Sequence, residues 1–402
     1  MEIRKEGKHK LLAFGITLAL ALATSKVALA GNDTSEKHDS DNKLTVAVFG
    51  DSPYGTSPTD TSQTLATPAF INSINADQNV SLVLHVGDIH SGKQYCTEAY
   101  DRTIYSLWTA FKDPLIYTPG DNEWLDCNKV GEGGGAYNKT TNQIDYVRNA
   151  QGNLADYAGG NPIANLELIR SIFFTKPGYS LGGRKQQVLS QAQYFDRAHP
   201  TDGKFVENSM WIQSGVLFVT INLPGGSNND YDVWYGAPTA TAEQTKEIED
   251  RTGADLRWLN TAFVAATVYH AKAIVIQAQA DMWDPEKGAA HQAAFEPFVQ
   301  SIASNTAKFG KPVLMFNGDS HVYRSDNPLS PTAPCTWEQS SPCTSVAFMH
   351  TGYNVPNFHR VVVHGSIFPL EWLKLTIDPK ANNAPSPNTF GPFTWERVQP
   401  KL

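Results

Sequence analysis

Four times the chain runs a short apolar stretch into Gly-Asp. Val46-Ala47-Val48-Phe49 leads into Gly50-Asp51, and Leu82 to Val86 leads into Gly87-Asp88. Leu115 to Pro119 leads into Gly120-Asp121, and Val313 to Asn317 into Gly318-Asp319, with His321 two residues on. Continuous aliphatic runs of this length predict strands covered on both faces. Each aspartate then stands just past the C-terminal end of a strand, the edge at which open α/β sheets bind ligands. One such match reads as a turn or a helix cap. Four on separate strands predict a shared site, because carboxylates gathered on one edge repel unless cations neutralise them. The glycines are expected to let the backbone turn sharply where a Cβ would clash.

Further apolar runs lie at Val216 to Asn222, Ala273 to Ile276, Arg360 to Val363 and Trp372 to Ile377. Between the runs fall helical candidates at Pro68 to Ala76, Thr97 to Phe111, Ala164 to Phe174, Thr241 to Val268 and Ala289 to Ala307. Strands alternating with helices predict an α/β layered domain; alternation alone equally allows a doubly wound sheet. Residues 44–402 read as one domain, with a Gly-, Asn- and Gln-rich, loop-rich insertion at about 128–204.

Two function classes drop out early. The net charge of −8 denies the chain the basic field of a dedicated nucleic-acid binder. No Gly-x-Ser-x-Gly elbow is present, which removes the familiar exported serine hydrolase.

The first residues read as an address. Lys5, Lys8 and Lys10 precede the apolar run Leu11 to Thr24, and Ala28-Leu29-Ala30 follows. That order matches a signal peptide over 1–30, cleaved near Ala30, and a secreted or periplasmic protein with no membrane anchor after cleavage. The run is shorter than the roughly 20 residues of a membrane span; an uncleaved anchor is the competing reading. Residues 31–43 are polar and read as a flexible lead. An even count of four cysteines suits an oxidising compartment. Cys335 and Cys343 lie close in one Pro- and Ser-rich loop, leaving Cys96 with Cys127. A zinc site is the alternative, although the tight Cys-x-x-Cys pairs of such sites are absent.

The ordered set Gly50-Asp51, Gly87-Asp88, Pro119-Gly120-Asp121-Asn122-Glu123 and Gly318-Asp319-Ser320-His321 resembles the calcineurin-like metallophosphoesterase family, purple acid phosphatases included. The resemblance implies a four-layer αββα sandwich and two divalent metal ions. It implies that Asp51 and His321 bind the first ion, that Asp88 bridges both, and that Asp121 and Asp319 bind the second. Asp121 stands at the family's asparagine and Asp319 at the first histidine of its Gly-His-x-His motif. The implied activity is hydrolysis of small phosphate mono- or diesters by attack of a metal-bridged hydroxide.

Besides Asp121, the chain departs from the family pattern in four places. Pro53 replaces the histidine of the first motif and Asn122 the catalytic histidine after the metal-binding asparagine. Asp319 replaces a histidine, and the mid-chain histidine is missing, with Gln277 or Gln279 as its stand-in. The donor set thus moves from imidazole to oxygen, which favours Mn²⁺, Mg²⁺ or Ca²⁺ over Zn²⁺, with iron also compatible. A general acid is missing from its usual place. Asn122 can still hydrogen-bond a phosphate oxygen, and His90 lies in the loop of the second motif, either as a catalytic group or as a surface histidine. Tyr54 and Arg324 are substrate-binding candidates; for Tyr54 the rival reading is packing, and for Arg324 a salt bridge with Asp326 or Glu123. Two function readings remain: a secreted metal-dependent phosphoesterase, or a catalytically degenerate relative that binds metal or an anion without turnover.

Overall fold

The computed structural model describes residues 42–228 and 232–402; the expected signal peptide and most of the polar lead lie outside them. Three parallel strands, β1 (Leu44–Phe49), β2 (Val80–His85) and β3 (Pro114–Tyr117), run side by side in one eight-stranded sheet. Four more, β4 (Val216–Thr220), β5 (Ala273–Gln277), β6 (Val313–Asn317) and β7 (Phe358–Val362), run in parallel through a second sheet of eight. Antiparallel strands flank both parallel sets, among them Trp372–Ile377 beside β1 and Ser209–Gln213 beside β4.

Residue alternation explains why the sheets stack. Val46 and Val48 of β1 share a buried cluster with Phe218, Val275, Leu314 and Phe316 of the second sheet. Their neighbours Ala47 and Phe49 point the other way, into a cluster with the helices that cover the first sheet. Leu217, Ile274, Ile276, Val313 and Met315 do the same on the far side of the second sheet. A strand whose side chains alternate between two apolar partners must be covered on both faces. The result is the four-layer αββα sandwich.

Among the described residues five longer helices form the outer layers: α1 (Ser62–Ala76), α2 (Glu98–Trp108), α3 (Pro162–Phe173), α4 (Ala242–Val268) and α5 (Ala289–Phe309). Thr97 and Thr241 cap α2 and α4 by accepting the backbone N–H of Tyr100 and Gln244. Gly310, at φ 68°, ends α5 in the left-handed conformation. The expected helix runs from Pro68 to Ala76, yet α1 begins at Ser62 and carries Pro68 inside it. Gln63 and Thr67 are buried in this first part, where Thr67 Oγ1 donates to the carbonyl of Gln63.

The segment 128–204 is tied back to the sandwich. Ile169, Ile172 and Phe173 of α3 join the cluster outside the first sheet. Leu181–Gly182 pairs with β3, and Leu189–Ser190 ends the second sheet. Both cysteine pairs are disulfides, Cys96–Cys127 and Cys335–Cys343. Among the described residues no helix is long and apolar enough to cross a membrane.

Candidate metal centre

The C-terminal ends of β1, β2, β3 and β6 bring their Gly-Asp pairs to one edge of the sandwich. Backbone bonds lace the loops together. Asp51 N–H donates to the Gly87 carbonyl at 2.9 Å, Ser52 N–H to the Asp88 carbonyl at 3.0 Å, and Gly318 N–H to the Gln279 carbonyl at 3.0 Å.

The glycines work differently from the turn expected of them. Of the four, only Gly87 has a positive φ; the aspartates Asp51, Asp88 and Asp319 and also His321 adopt it instead, at 47°, 59°, 73° and 63°. Such conformations cost about 1–3 kcal/mol each for a residue with a side chain and persist where the surroundings hold them. What Gly120 and Gly318 supply is space. A Cβ on Gly120 would run into the carboxylate of Asp88, and one on Gly318 into that of Asp51. The glycine before one aspartate makes room for another.

The carboxylates converge. Ligand atoms of Asp51, Asp88 and His321 lie within 4.8 Å of one another. Asp319 Oδ1 and Asp121 Oδ2 face a common point beside Gly225, where a Cβ would meet them at 2.5 and 2.8 Å. Tyr54 Oη donates to Asp88 Oδ2 at 2.6 Å and lies 3.2 Å from His321 Nε2. Asn122 Nδ2 donates to the same Asp88 oxygen at 3.0 Å and to Tyr54 Oη at 2.8 Å. Gln279 Nε2 donates to Asp121 Oδ1 at 3.0 Å, and its Oε1 accepts the N–H of Gly225. Asp281 N–H donates to Asp319 Oδ2 at 2.9 Å.

Among the described residues no lysine or arginine forms an ion pair with Asp51, Asp88, Asp121 or Asp319; the one ion-pair contact is His321 with Asp51 at 3.8 Å. Burial, joined by the charges of Asp121 and Glu123, pushes the Asp51 carboxyl up to about 8 against the opposing N–H of Asp319. Burial and the Asp121 charge drive Asp88 and Asp319 well above the ordinary carboxylate range. Burial also pushes His321 down to about 4, so its ring is a neutral donor. Asp51 Oδ2 is buried with no hydrogen-bond partner. A buried carboxylate oxygen without a donor is costly, and a cation is the partner that this oxygen-rich set with one imidazole fits.

The remaining candidates fall elsewhere. Gln277 points between the sheets, its Nε2 donating to the His85 carbonyl at 2.7 Å; Gln279 is the glutamine at the cluster. His90 is buried, with Nδ1 at 3.1 Å from the Ser91 carbonyl and a ring nitrogen within 4.8 Å of both disulfide sulfurs. It faces the Cys96–Cys127 bridge. Arg324 is committed to Asp326 and to the Thr344 carbonyl, the salt bridge weighed against its substrate role.

Two buried contributors, Asp281 and Arg360, escaped sequence reasoning, and a third, Glu123, entered it only as a motif residue and a partner for Arg324. Glu123 accepts from Tyr117 Oη at 2.5 Å and from Gly120 N–H at 2.7 Å, fixing the third motif. Asp281 and Arg360 form an ion pair beside Asp319. The spacing Gln279-Ala280-Asp281 was the available signal for Asp281; Arg360 sits in an ordinary-looking strand and gave none.

The calcineurin-like phosphoesterase family profile matches residues 44–257. The chain belongs to that family. The matched stretch holds Asp51, Asp88 and Asp121, while Asp319 and His321 lie beyond it and join the cluster through the fold. Among solved structures, the chain is similar to a purple acid phosphatase isolated from yellow lupin (Lupinus luteus) seeds, at 14% identity and a TM-score of 0.37. The alignment covers 84% of this chain and 49% of that one, so this chain spans about half of its length. No curated protein matches the sequence.

Proposed function

We propose that this protein is an exported hydrolase of phosphate mono- or diesters that works with two divalent ions. Asp51, Asp88 and His321 would hold the first ion, and Asp121 and Asp319, together with Asp88, would hold the second. The oxygen-rich donors favour Mn²⁺, Mg²⁺ or Ca²⁺. The observation that carries this reading is the buried, unpartnered Asp51 Oδ2 beside Asp88 and His321, the ligand atoms of these three residues lying within 4.8 Å of one another. Export is supported by the basic, then apolar start of the sequence and by the two disulfides.

Bound divalent ions in such a site supply Lewis-acid stabilisation of the phosphate oxygens and a nucleophile at neutral pH. The chain's own residues do the rest. Tyr54 and Asn122 both donate to Asp88 Oδ2 and fix its orientation. Burial and the neighbouring Asp88 charge hold the Tyr54 hydroxyl protonated, so it stays a donor. Gln279 sets the Asp121 carboxylate and Asp281 that of Asp319. With Asn122 in place of histidine, nothing at that position can protonate a leaving group, which favours esters whose leaving oxygen departs as an anion, such as aryl phosphates.

A second reading, metal or anion binding without turnover, is favoured by one observation: both donor contacts of the Asn122 amide go to Asp88 and Tyr54. The two part on one experiment. Metal-depleted protein is reloaded with Mn²⁺, Mg²⁺, Ca²⁺ or Zn²⁺ and assayed on an aryl phosphate and a diester. Turnover restored by metal and abolished in Asp88→Ala supports the hydrolase. Metal uptake without turnover on either ester supports the binder.

A further inference from the structure

Arg360 is fully buried on β7. Its Nε and Nη2 meet the two oxygens of Asp326 at 2.9 and 3.0 Å, and its Nη1 meets Asp281 Oδ1. Its guanidinium lies 5.2 Å from the ring centre of Trp283. Arg324, bonded to Asp326 through Nε, completes a quartet of two arginines and two aspartates. As a contribution to stability such a buried quartet is weak, since apolar residues of similar volume serve as well or better. What it offers is fixed geometry.

That geometry is delivered next to Asp319. Asp281 Oδ2 accepts from Ser320 Oγ at 2.8 Å, and Asp281 Oδ1 accepts from Trp283 N–H at 3.0 Å. The backbone N–H of Asp281 holds Asp319 Oδ2 at 2.9 Å. Two residues earlier, Gln279 holds Asp121 Oδ1. One guanidinium therefore anchors the segment that touches both carboxylates beside Gly225. A carboxylate where the family pattern has imidazole presents two equivalent oxygens on a rotatable bond. Tying Oδ2 leaves Oδ1 as the oxygen facing Asp121.

We propose that Arg360 is a positioning residue for the second ion: through Asp281 it fixes the Asp319 carboxylate and so sets the affinity of that pole alone. The inference rests on the two-ion reading above. Loss of an outer partner of a metal ligand costs about 10–100-fold in metal affinity. The test is a Mn²⁺ titration of metal-depleted full-length protein, followed by calorimetry and by the spin-coupled signal of paired Mn²⁺ ions. Wild type is expected to take up two ions. Arg360→Met is expected to keep the first at wild-type affinity and to bind the second about 10–100-fold more weakly, with the coupled signal lost. Arg360→Lys, which keeps the charge and loses the fork, falls between the two.

Asp281→Asn, near-isosteric, guards against a misfolded Arg360→Met and is expected to weaken the second ion in the same selective way. Val299→Ala, a core truncation on the buried face of α5, lowers the melting temperature and leaves both affinities alone. Equal weakening of both ions in the Arg360 and Asp281 variants, or undiminished binding of the second, overturns the proposal. If wild type itself fails to bind two ions, the two-ion reading has failed, and this proposal with it.

Discussion

The backbone N–H of Asp319 donates to Oδ1 of Asp51 at 3.0 Å, across 268 positions of sequence. That bond joins the loops that follow β1 of one sheet and β6 of the other. It occupies one oxygen of Asp51 and leaves the other, Oδ2, buried and unpaired.

Asp51→Asn keeps an acceptor for that bond and removes the charge. The fold is expected to survive, because the Asn carbonyl still accepts from Asp319. Affinity for the first ion is expected to drop by more than the roughly 10–100-fold that follows loss of an outer partner. Metal titration beside a thermal melt checks both halves.

Asn122 stands where a proton donor would serve the leaving group. Rates across a series of phosphate esters are therefore expected to fall steeply as the leaving alcohol becomes less acidic. Asn122→His restores a titratable donor and is expected to flatten that series, raising turnover of alkyl esters by up to about 10²-fold. A linear free-energy plot for the two proteins measures it; parallel slopes would count against the assignment.

Gly318→Ala places a Cβ against the Asp51 carboxylate. Overpacking of this kind typically costs about 1–3 kcal/mol. The substitution is expected to lower stability by that amount and to displace Asp51, so metal affinity falls too. Calorimetric melts with and without Mn²⁺ give both numbers.

Asp326 supplies a pH dependence. Burial alone would raise its carboxyl, but Arg360 and Arg324 hold it below the usual range. A carboxyl depressed in the folded state adds stability that is complete above its unfolded value of about 3.9 and is lost as pH falls through the lower folded value. Asp326→Asn is expected to be destabilised by about 3–5 kcal/mol at pH 6, since it leaves buried guanidinium charge unpaired. The gap to wild type should shrink below about pH 4. Denaturant melts from pH 2.5 to 6 follow the two curves.

Much of the fold was legible because the strands are buried on both faces. β1 and Trp372–Ile377 fall where the apolar runs place them, and α4 begins directly after its capping threonine. Alternation could not choose between one sheet and two; the choice lies in which apolar faces meet, such as Val46 and Val48 with Phe218 and Leu314. At the candidate site, strand ends predicted the meeting of Asp51, Asp88, Asp121 and Asp319. Side-chain direction was not readable: Gln277 and Gln279 differ by two positions, yet one points between the sheets and the other reaches Asp121. The extended backbone ends between them, so the strand rule that both share a face no longer holds. Arg360 was invisible because its partners, Asp281 and Asp326, come from other parts of the chain.

Elemental analysis of protein purified without chelators, with Asp88→Ala alongside, tests the central claim most directly. Two divalent ions per wild-type chain, reduced to one or none in Asp88→Ala, is the result this account predicts. A wild-type protein that holds no divalent metal after dialysis against Mn²⁺, or an Asp88→Ala variant that keeps both ions, would contradict it.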